Sequence, residues 1–212
     1  MAKRPYVFQS RDELINHLCS ERTLRVAVDF FCNRLPNIEY VVKEGVAGNT
    51  FRAFQRLPER PSVVFREWAT GRVTEHMDRL KKIKTEDEYT IFVHESANDL
   101  CSTWMSRMNS EMGFGRGSKL FNLVLKKLSC LSSFDEDFRE RFIRLLHVPL
   151  DSYTIVGLRK LVSTLDIPPS ATMKFIQTPD HYKQLQRYIF RVAKEADVPA
   201  IYYDILAWDM AH

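Results

Sequence analysis

Apolar positions along the chain recur with the spacing of helices rather than strands. Leu120, Val124 and Leu128, with Leu123 beside them, are spaced so that they would share one face of a helix. Sustained alternation of apolar and polar residues, which is typical of a half-buried strand, is nearly absent from the chain. The pattern therefore predicts an all-α fold of about nine to eleven helices.

Helix-start signals divide this pattern into separate elements. Three Ser/Thr and Glu pairs have the spacing of a capping box, and two prolines stand where a first helical residue is favoured. The pairs are Ser10 with Glu13, Thr85 with Glu88, and Ser133 with Glu136, and the prolines are Pro61 and Pro179. The predicted helices run from Ser10 to near Leu35, Pro61 to about Lys84, Thr85 to about Met108, Ser133 to Leu146, Thr178 to about Ala196 and Pro199 to Ala211. We expect residues 1–212 to form a single helical domain.

The composition supports a sizeable apolar core and restricts the kind of partner. Hydrophobic residues make up 45% of the 212 residues, and only seven Gly and nine Pro are present, which argues against a loop-rich all-β protein. The formal net charge of +4 permits a polyanionic partner but is too small for a purely electrostatic coat on nucleic acid. Any contact with DNA must therefore be local.

Cysteine spacing and hydropathy argue against several other classes of protein. Cys19, Cys32, Cys101 and Cys130 include no CxxC pair, so the usual spacing of zinc and iron–sulfur ligands is missing. We expect buried free thiols in a reducing compartment, with no metal and no cofactor. No apolar run approaches the length of a membrane span, and the N-terminus has no signal-peptide core. These features predict a cytosolic protein without a membrane contact.

A glycine-rich stretch near the middle of the chain predicts a tight turn between two helices. Gly113, Gly115 and Gly117 permit positive φ and leave backbone N–H groups uncovered, and a new helix is expected to open at Ser118 and Lys119. Such a helix start suits one phosphate, and Arg116 adds a positive charge. The same spacing is also typical of an ordinary turn followed by a helix that Ser118 caps.

Lys119 and Asp151 are the two side chains with the clearest chemical potential. A lysine in the first turn of a helix is unusual, because the helix dipole there disfavours the ammonium and so favours a nucleophilic amine. Asp151 follows Pro149 at a predicted helix start, where a carboxylate could orient an amine or stabilise a cationic sugar. The alternatives are a solvated surface lysine and an ordinary N-cap worth about 1 kcal/mol.

Two of these segments, taken together, resemble a known family. The Gly115-Arg116-Gly117-Ser118-Lys119 segment resembles the GxG(T/S)K hairpin of the 8-oxoguanine branch of the helix-hairpin-helix DNA glycosylase superfamily. The Val148-Pro149-Leu150-Asp151 segment resembles the VPxD segment of the same branch, and the two occur in the family's order.

The C-terminus adds a third match. Asp204 and Trp208, in VPAIYYDILAW, are similar to the Asp and Trp of the final helix of archaeal-type 8-oxoguanine glycosylases, and Lys126 matches a lysine of their base pocket. The resemblance covers roughly the second half of the chain. The stretch from 130 to 147 is longer than in the eukaryotic enzymes, and Trp68 and Gln55 are only candidates for an N-terminal pocket residue.

The resemblance implies a two-lobed helical bundle with a helix-hairpin-helix motif at about residues 98–131 and a central DNA-binding cleft. It implies a bifunctional DNA N-glycosylase and AP lyase (a hydrolase and lyase) of base excision repair that removes 8-oxoguanine without a metal or cofactor. The partner would be double-stranded DNA with a damaged base, bound by a monomer in the cytoplasm, at the nucleoid of a prokaryote or in the nucleus of a eukaryote.

The resemblance also implies a role for each site residue. Lys119 would attack the sugar and form a Schiff base, and Asp151 would stabilise the positive charge and orient or deprotonate the lysine. The roles implied for the other residues are base binding by Lys126, Asp204 and Trp208, and phosphate binding by Gly115, Arg116 and Gly117.

Several alternatives stay open or are disfavoured by the residues themselves. The His94-Glu95 pair lacks a second histidine at metalloprotease spacing, Arg141 and His147 only loosely match a helical ribonuclease pattern, and no GxSxG motif is present. The open alternatives are an enzyme of the same fold for another modified base, a module that binds DNA or a nucleotide without chemistry, and a helical interaction protein.

Overall fold

The computed structural model describes residues 4–54 and 56–211, and within these residues the chain is all-helical, with eleven α-helices, two short 3₁₀ helices and no β-strand. The all-α prediction is confirmed, and the helix number lies within the predicted range. The helices are α1 (Arg11–Leu18), α2 (Glu21–Phe31), α3 (Ile38–Gly45), α4 (Pro61–Glu75), α5 (Met77–Lys82), α6 (Glu86–Met108), α7 (Phe114–Leu128), α8 (Glu136–Leu145), α9 (Ser152–Gly157), α10 (Pro179–Glu195) and α11 (Tyr202–Ala211). The 3₁₀ helices are Gly48–Ala53 and Met173–Phe175.

Side-chain caps explain why several helices begin where the sequence predicts. The Thr85 hydroxyl accepts the Glu88 N–H while the Glu88 carboxylate accepts the Thr85 N–H, which is the reciprocal capping box. Thr178 caps α10 by accepting from the His181 N–H, with Pro179 as the first helical residue. These starts satisfy backbone donors that would otherwise lack a partner.

Three predicted helices differ from the structure because other residues cap or interrupt them. The stretch from Ser10 to Leu35 is two helices, since Ser20 caps α2 by accepting from the Thr23 N–H. The stretch that starts at Pro61 is also two helices, which meet at His76. The predicted capping box of Ser133 with Glu136 is wrong, because Asp135 caps α8 and accepts from the Phe138 N–H at 2.8 Å.

The buried apolar side chains form one cluster, and α7 lies at its centre. Helix α7 packs against both α3 and α6. The contact with α3 is close, since a Cβ at Gly45 would lie 3.2 Å from the Val124 Cα and from the Leu123 carbonyl oxygen. Helix α11 packs against α9 and α2, so the C-terminal segment also meets the N-terminal part of the chain.

Helix α7 begins earlier than predicted, at Phe114 rather than at Ser118 and Lys119. Gly113 is its N-cap residue and has a φ of 79°, the left-handed region that glycine adopts at no steric cost. Ser118 is therefore not a cap, and its hydroxyl donates to the Gly115 carbonyl one turn back. Lys119 lies in the second turn, which removes the argument from the first-turn dipole.

Gly115 and Gly117 have helical backbones and are needed for close packing instead. A Cβ at Gly115 would lie much closer than 3.0 Å to the Met173 carbonyl oxygen, and real Cβ atoms essentially never come closer than 3.0 Å to such an atom. A Cβ at Gly117 would lie 3.2 Å from the Ala97 carbonyl oxygen of α6. The start of α7 is thus held between α6 and the 3₁₀ helix Met173–Phe175.

The four cysteines are free thiols, but only Cys130 is buried, while Cys19 and Cys32 are exposed and Cys101 is partly buried. The expectation of buried thiols is therefore wrong for two of the four. In the described residues, no helix combines the length and the apolar character needed to cross a membrane.

Two glycine-to-alanine substitutions test the packing role of Gly115. Gly115→Ala should lower the free energy of unfolding by about 1–3 kcal/mol, because the added methyl overpacks the contact with Met173. Gly71→Ala, inside α4 where nothing lies within 4 Å of the added Cβ, should raise it by roughly 0.5–1 kcal/mol. Urea denaturation of both variants measures the difference, and equal stability of Gly115→Ala and the wild type would contradict the close contact.

Candidate active site

Lys119 and Asp151 lie together in the folded protein. The Lys119 Nζ is 3.4 Å from the Asp151 Oδ2, and the two side chains are only 12% and 5% exposed. Helix α7 provides the lysine, and the N-cap position of α9 provides the carboxylate. The structure therefore brings these two predicted site residues together as a nearly buried ion pair between two distant chain segments.

The two oxygens of Asp151 have different partners. Oδ1 accepts from the Tyr153 N–H at 2.9 Å and from the Thr154 N–H at 3.2 Å, which caps α9. The Thr154 hydroxyl accepts from the Asp151 N–H at 2.8 Å and completes a capping box. Oδ2 is the oxygen that faces Lys119. The cap thus fixes the orientation of the carboxylate while one oxygen stays directed at the amine.

A second nearly buried ion pair lies beside the first. Lys126, seven residues after Lys119 on the same face of α7, donates to the Asp204 Oδ2 at 2.7 Å, and these side chains are 11% and 5% exposed. Burial raises the pKa of the Asp204 carboxyl above its ordinary value; the Lys126 ammonium opposes the rise and the Asp151 carboxylate adds to it. Two ammonium groups and two carboxylates therefore share one desolvated region.

Aromatic rings border this group of charges. The Lys126 Nζ lies 4.3 Å from the centre of the Phe30 ring, and the Lys127 Nζ lies 5.0 Å from the same centre. Trp208 is 43% exposed, and its indole packs on the Tyr153 ring at 4.8 Å. Trp208 thus lies next to the cap formed by Asp151. Phe30 also belongs to the candidate site, but the sequence did not indicate it, because one Phe on an amphipathic helix carries no distinguishing signal.

The start of α7 lies one turn before Lys119 and differs from the predicted phosphate site in one respect. The N–H groups of Arg116 and Gly117 both donate to the Gly113 carbonyl at 3.1 Å, so the expectation of an uncovered Gly117 N–H is wrong. The Arg116 guanidinium lies 5.3 Å from the Phe54 ring centre. An open cleft of about 340 Å³ is lined by Gly113–Arg116 and by the segment around Lys174.

Of the two N-terminal pocket candidates, Trp68 is not part of this site. The Trp68 indole N–H donates to Asp99 at 2.7 Å, and the Trp68 ring packs against Phe121 in the core. Gln55 lies outside the described residues.

The disfavoured alternatives gain no support from the geometry. His147 is fully buried, and burial together with the charge of His94 lowers its pKa to about 3. The Arg141 guanidinium donates to the Lys81 carbonyl at 3.1 Å, whereas the His147 imidazole contacts the Tyr182 hydroxyl. Throughout residues 4–54 and 56–211, no three His, Cys, Asp or Glu side chains are grouped so that they could hold a metal ion.

Comparison with known proteins leaves the functional interpretation to the geometry. The chain matches no protein-family model, no curated protein and no solved structure.

Replacing Lys126 tests whether the Asp204 carboxyl lies in a site from which water is excluded. Because the pKa of Asp204 is higher in the folded state, the folded protein binds more protons than the unfolded chain between the two pKa values, and stability falls as pH rises through that window. Lys126→Met removes the opposing ammonium and should raise this pKa further. We expect a loss of about 3–5 kcal/mol at pH 8, where the unpaired carboxylate must ionise, and a clearly smaller loss at pH 5.

Thermal unfolding at both pH values measures this dependence. The double variant Lys126→Met/Asp204→Asn carries no titrating carboxyl at position 204 and should lose the extra pH dependence. An equal loss at pH 5 and pH 8 for Lys126→Met would mean that Asp204 is not held in a desolvated site.

Proposed function

We propose that the protein is a DNA N-glycosylase with AP lyase activity that excises 8-oxoguanine from double-stranded DNA. The observation that carries the proposal is the nearly buried contact of the Lys119 Nζ with the Asp151 Oδ2. In this proposal α6, the turn after it and α7 form a helix-hairpin-helix motif beside a DNA-binding cleft, and the target nucleotide is flipped out of the duplex.

Lys119 and Asp151 carry the covalent chemistry. Asp151 takes a proton from the Lys119 ammonium, and the neutral amine attacks C1′ of the flipped nucleotide. The N-glycosidic bond breaks, its electron pair leaves with the base, and the base is protonated. The carboxylate stabilises the positive charge that develops on the sugar. Opening of the sugar ring gives a Schiff base, and loss of a C2′ proton then expels the 3′ phosphate and cuts the strand.

Lys126, Asp204 and Trp208 recognise the base in this proposal. Trp208 stacks on the extruded purine from its half-exposed position beside Tyr153. Asp204 is a buried acceptor for the N7–H that the oxidised purine has and guanine lacks. Guanine would place a lone pair against this acceptor, and a buried polar group without its hydrogen bond costs about 1–3 kcal/mol.

The first turn of α7 holds a DNA phosphate and sets the register without reading sequence. Arg116 supplies the charge. Gly115 and Gly117 contribute by letting the helix start lie close to its neighbours, while the dipole of the fifteen-residue helix favours an anion.

Borohydride trapping tests the nucleophile and the substrate together. Mixing the protein with a labelled duplex that carries one 8-oxoguanine, in the presence of sodium borohydride, should give a covalent protein–DNA band. Lys119→Ala should abolish the band, because no amine remains to form the Schiff base. Lys127→Ala, a change of a lysine on the same helix, should leave the band at saturating DNA.

The two remaining outcomes of the trapping experiment separate the alternatives. A band with an abasic site but none with 8-oxoguanine would retain the lysine chemistry and point to an enzyme for another modified base. No band with either duplex would contradict the proposal and favour a DNA-binding module without chemistry.

Asp151→Asn separates the charge of this residue from its capping role. The asparagine oxygen can still accept from the Tyr153 and Thr154 N–H groups, so α9 keeps its cap. Loss of the carboxylate should slow trapping by about 100-fold or more, as expected when a general base is removed. Single-turnover trapping rates measure the effect, with the exposed Asp166→Asn as the control. An unchanged rate would show that the carboxylate only caps the helix.

A further inference from the structure

Helix α10 places two polar side chains in the core, one turn apart. Tyr182 and Gln186 are 0% and 2% exposed. Buried polar groups destabilise a protein unless they are hydrogen-bonded, so the partners of these two side chains define what the helix contributes. Their hydrogen-bond partners outside α10 lie on α7 and on the segment before Asp151, which carry the lysine and the carboxylate of the candidate site.

Gln186 uses both ends of its amide on one peptide unit. Its Oε1 accepts from the Val148 N–H at 3.0 Å, and its Nε2 donates to the Val148 carbonyl at 2.7 Å. Residues 146–151 belong to no helix or strand, so the buried Val148 has no backbone ladder to satisfy these groups. One side chain therefore replaces the ladder three residues before Asp151.

Tyr182 connects the same segment to α7. The Asn122 Nδ2, one turn after Lys119, donates to the Tyr182 hydroxyl at 2.7 Å, and that hydroxyl lies 2.8 Å from the His147 Nδ1. The His147 Nε2 lies 3.3 Å from the Thr90 hydroxyl. Each of these three hydrogen bonds has one donor and one acceptor when Tyr182 donates to Nδ1 of a neutral His147 imidazole whose Nε2 carries the proton.

We propose that Gln186 and Tyr182 are positioning residues that set the Asp151 carboxylate at its distance from the Lys119 amine. The inference rests on the proposed function. Tyr182 bonds to the lysine helix through Asn122, and Gln186 binds the chain just before the carboxylate. Between Val148 and Asp151, Pro149 has a fixed φ and the next residue is fully buried, so the chain has little freedom to move independently of α10.

The chemistry is sensitive to this distance. A misplacement of about 1 Å between reacting groups can slow a reaction by about 100-fold. Without the Gln186 amide, the Val148 N–H and carbonyl would be buried without partners, and the segment would shift to reach water. The Lys119–Asp151 contact would then lengthen, which affects the chemical step and not the binding of DNA.

Single-turnover trapping on an abasic duplex separates positioning from stability. The amplitude of the trapped band measures the fraction of folded, competent protein, and the rate constant measures how fast that fraction reacts. At saturating DNA, Gln186→Met should lower the rate constant by about 10- to 100-fold while the dissociation constant for DNA stays within about twofold. Gln184→Met, an exposed glutamine of the same helix, is the matched control and should keep both values.

Two further variants keep the inference testable if Gln186→Met folds poorly. Tyr182→Phe deletes the hydroxyl that joins Asn122 to His147 and should also lower the rate constant. Gln186→Glu keeps an acceptor for the Val148 N–H, but it can donate to the carbonyl only when it is protonated. Its rate relative to the wild type should therefore rise as the pH is lowered.

The outcomes distinguish the inference from the function on which it rests. If the wild type gave no trapped band with the abasic duplex, the proposed function and the inference would be overturned together. A wild-type band with reduced amplitude but an unchanged rate constant in Gln186→Met and Tyr182→Phe would overturn the inference alone, since both residues would then be merely structural.

Discussion

Helix α7 has to bury its apolar side chains against α3 and α6 while two of its lysines point into a region from which water is largely excluded. Lys119 and Lys126 are only 12% and 11% exposed, and an ammonium in such a place needs a carboxylate. The C-terminal half provides one for each, Asp151 at the start of α9 and Asp204 in α11. The positions of α9 and α11 relative to α7 are therefore constrained by charge pairing as well as by apolar contact.

Stability alone does not account for this arrangement. Removing charges from water costs several kcal/mol per ion, and well-packed apolar residues in place of a buried pair are often as stable or more stable. Desolvated groups with altered pKa values are concentrated at functional sites, and Asp204 has a raised pKa beside a second carboxylate. Two lysine–carboxylate pairs in one region are therefore an observation that supports the proposed chemistry at Lys119.

The sequence predicted what depends on neighbouring residues and failed where distant segments decide. The cap at Thr85 and the helical periodicity of α7 are local, and the structure confirms both. The predicted start of α7 is wrong, because the sequence does not show which of the three glycines adopts a positive φ. Gly113 does so, while Gly115 is a helical residue that packs against Met173, fifty-eight residues away in the chain. Gln186 was missed for the same reason, since nothing in its neighbours shows that its amide binds Val148.

Asp151 illustrates how a structural role and a chemical role can be compatible in one side chain. From the sequence, capping a helix and facing an amine are alternatives, because each explains why a carboxylate stands after Pro149. In the structure the cap uses Oδ1, and Oδ2 remains directed at Lys119. The cap restricts rotation of the carboxylate, and restricted rotation is what a preorganised charge next to a reacting centre requires. The structural role therefore supports the proposed chemical role instead of competing with it.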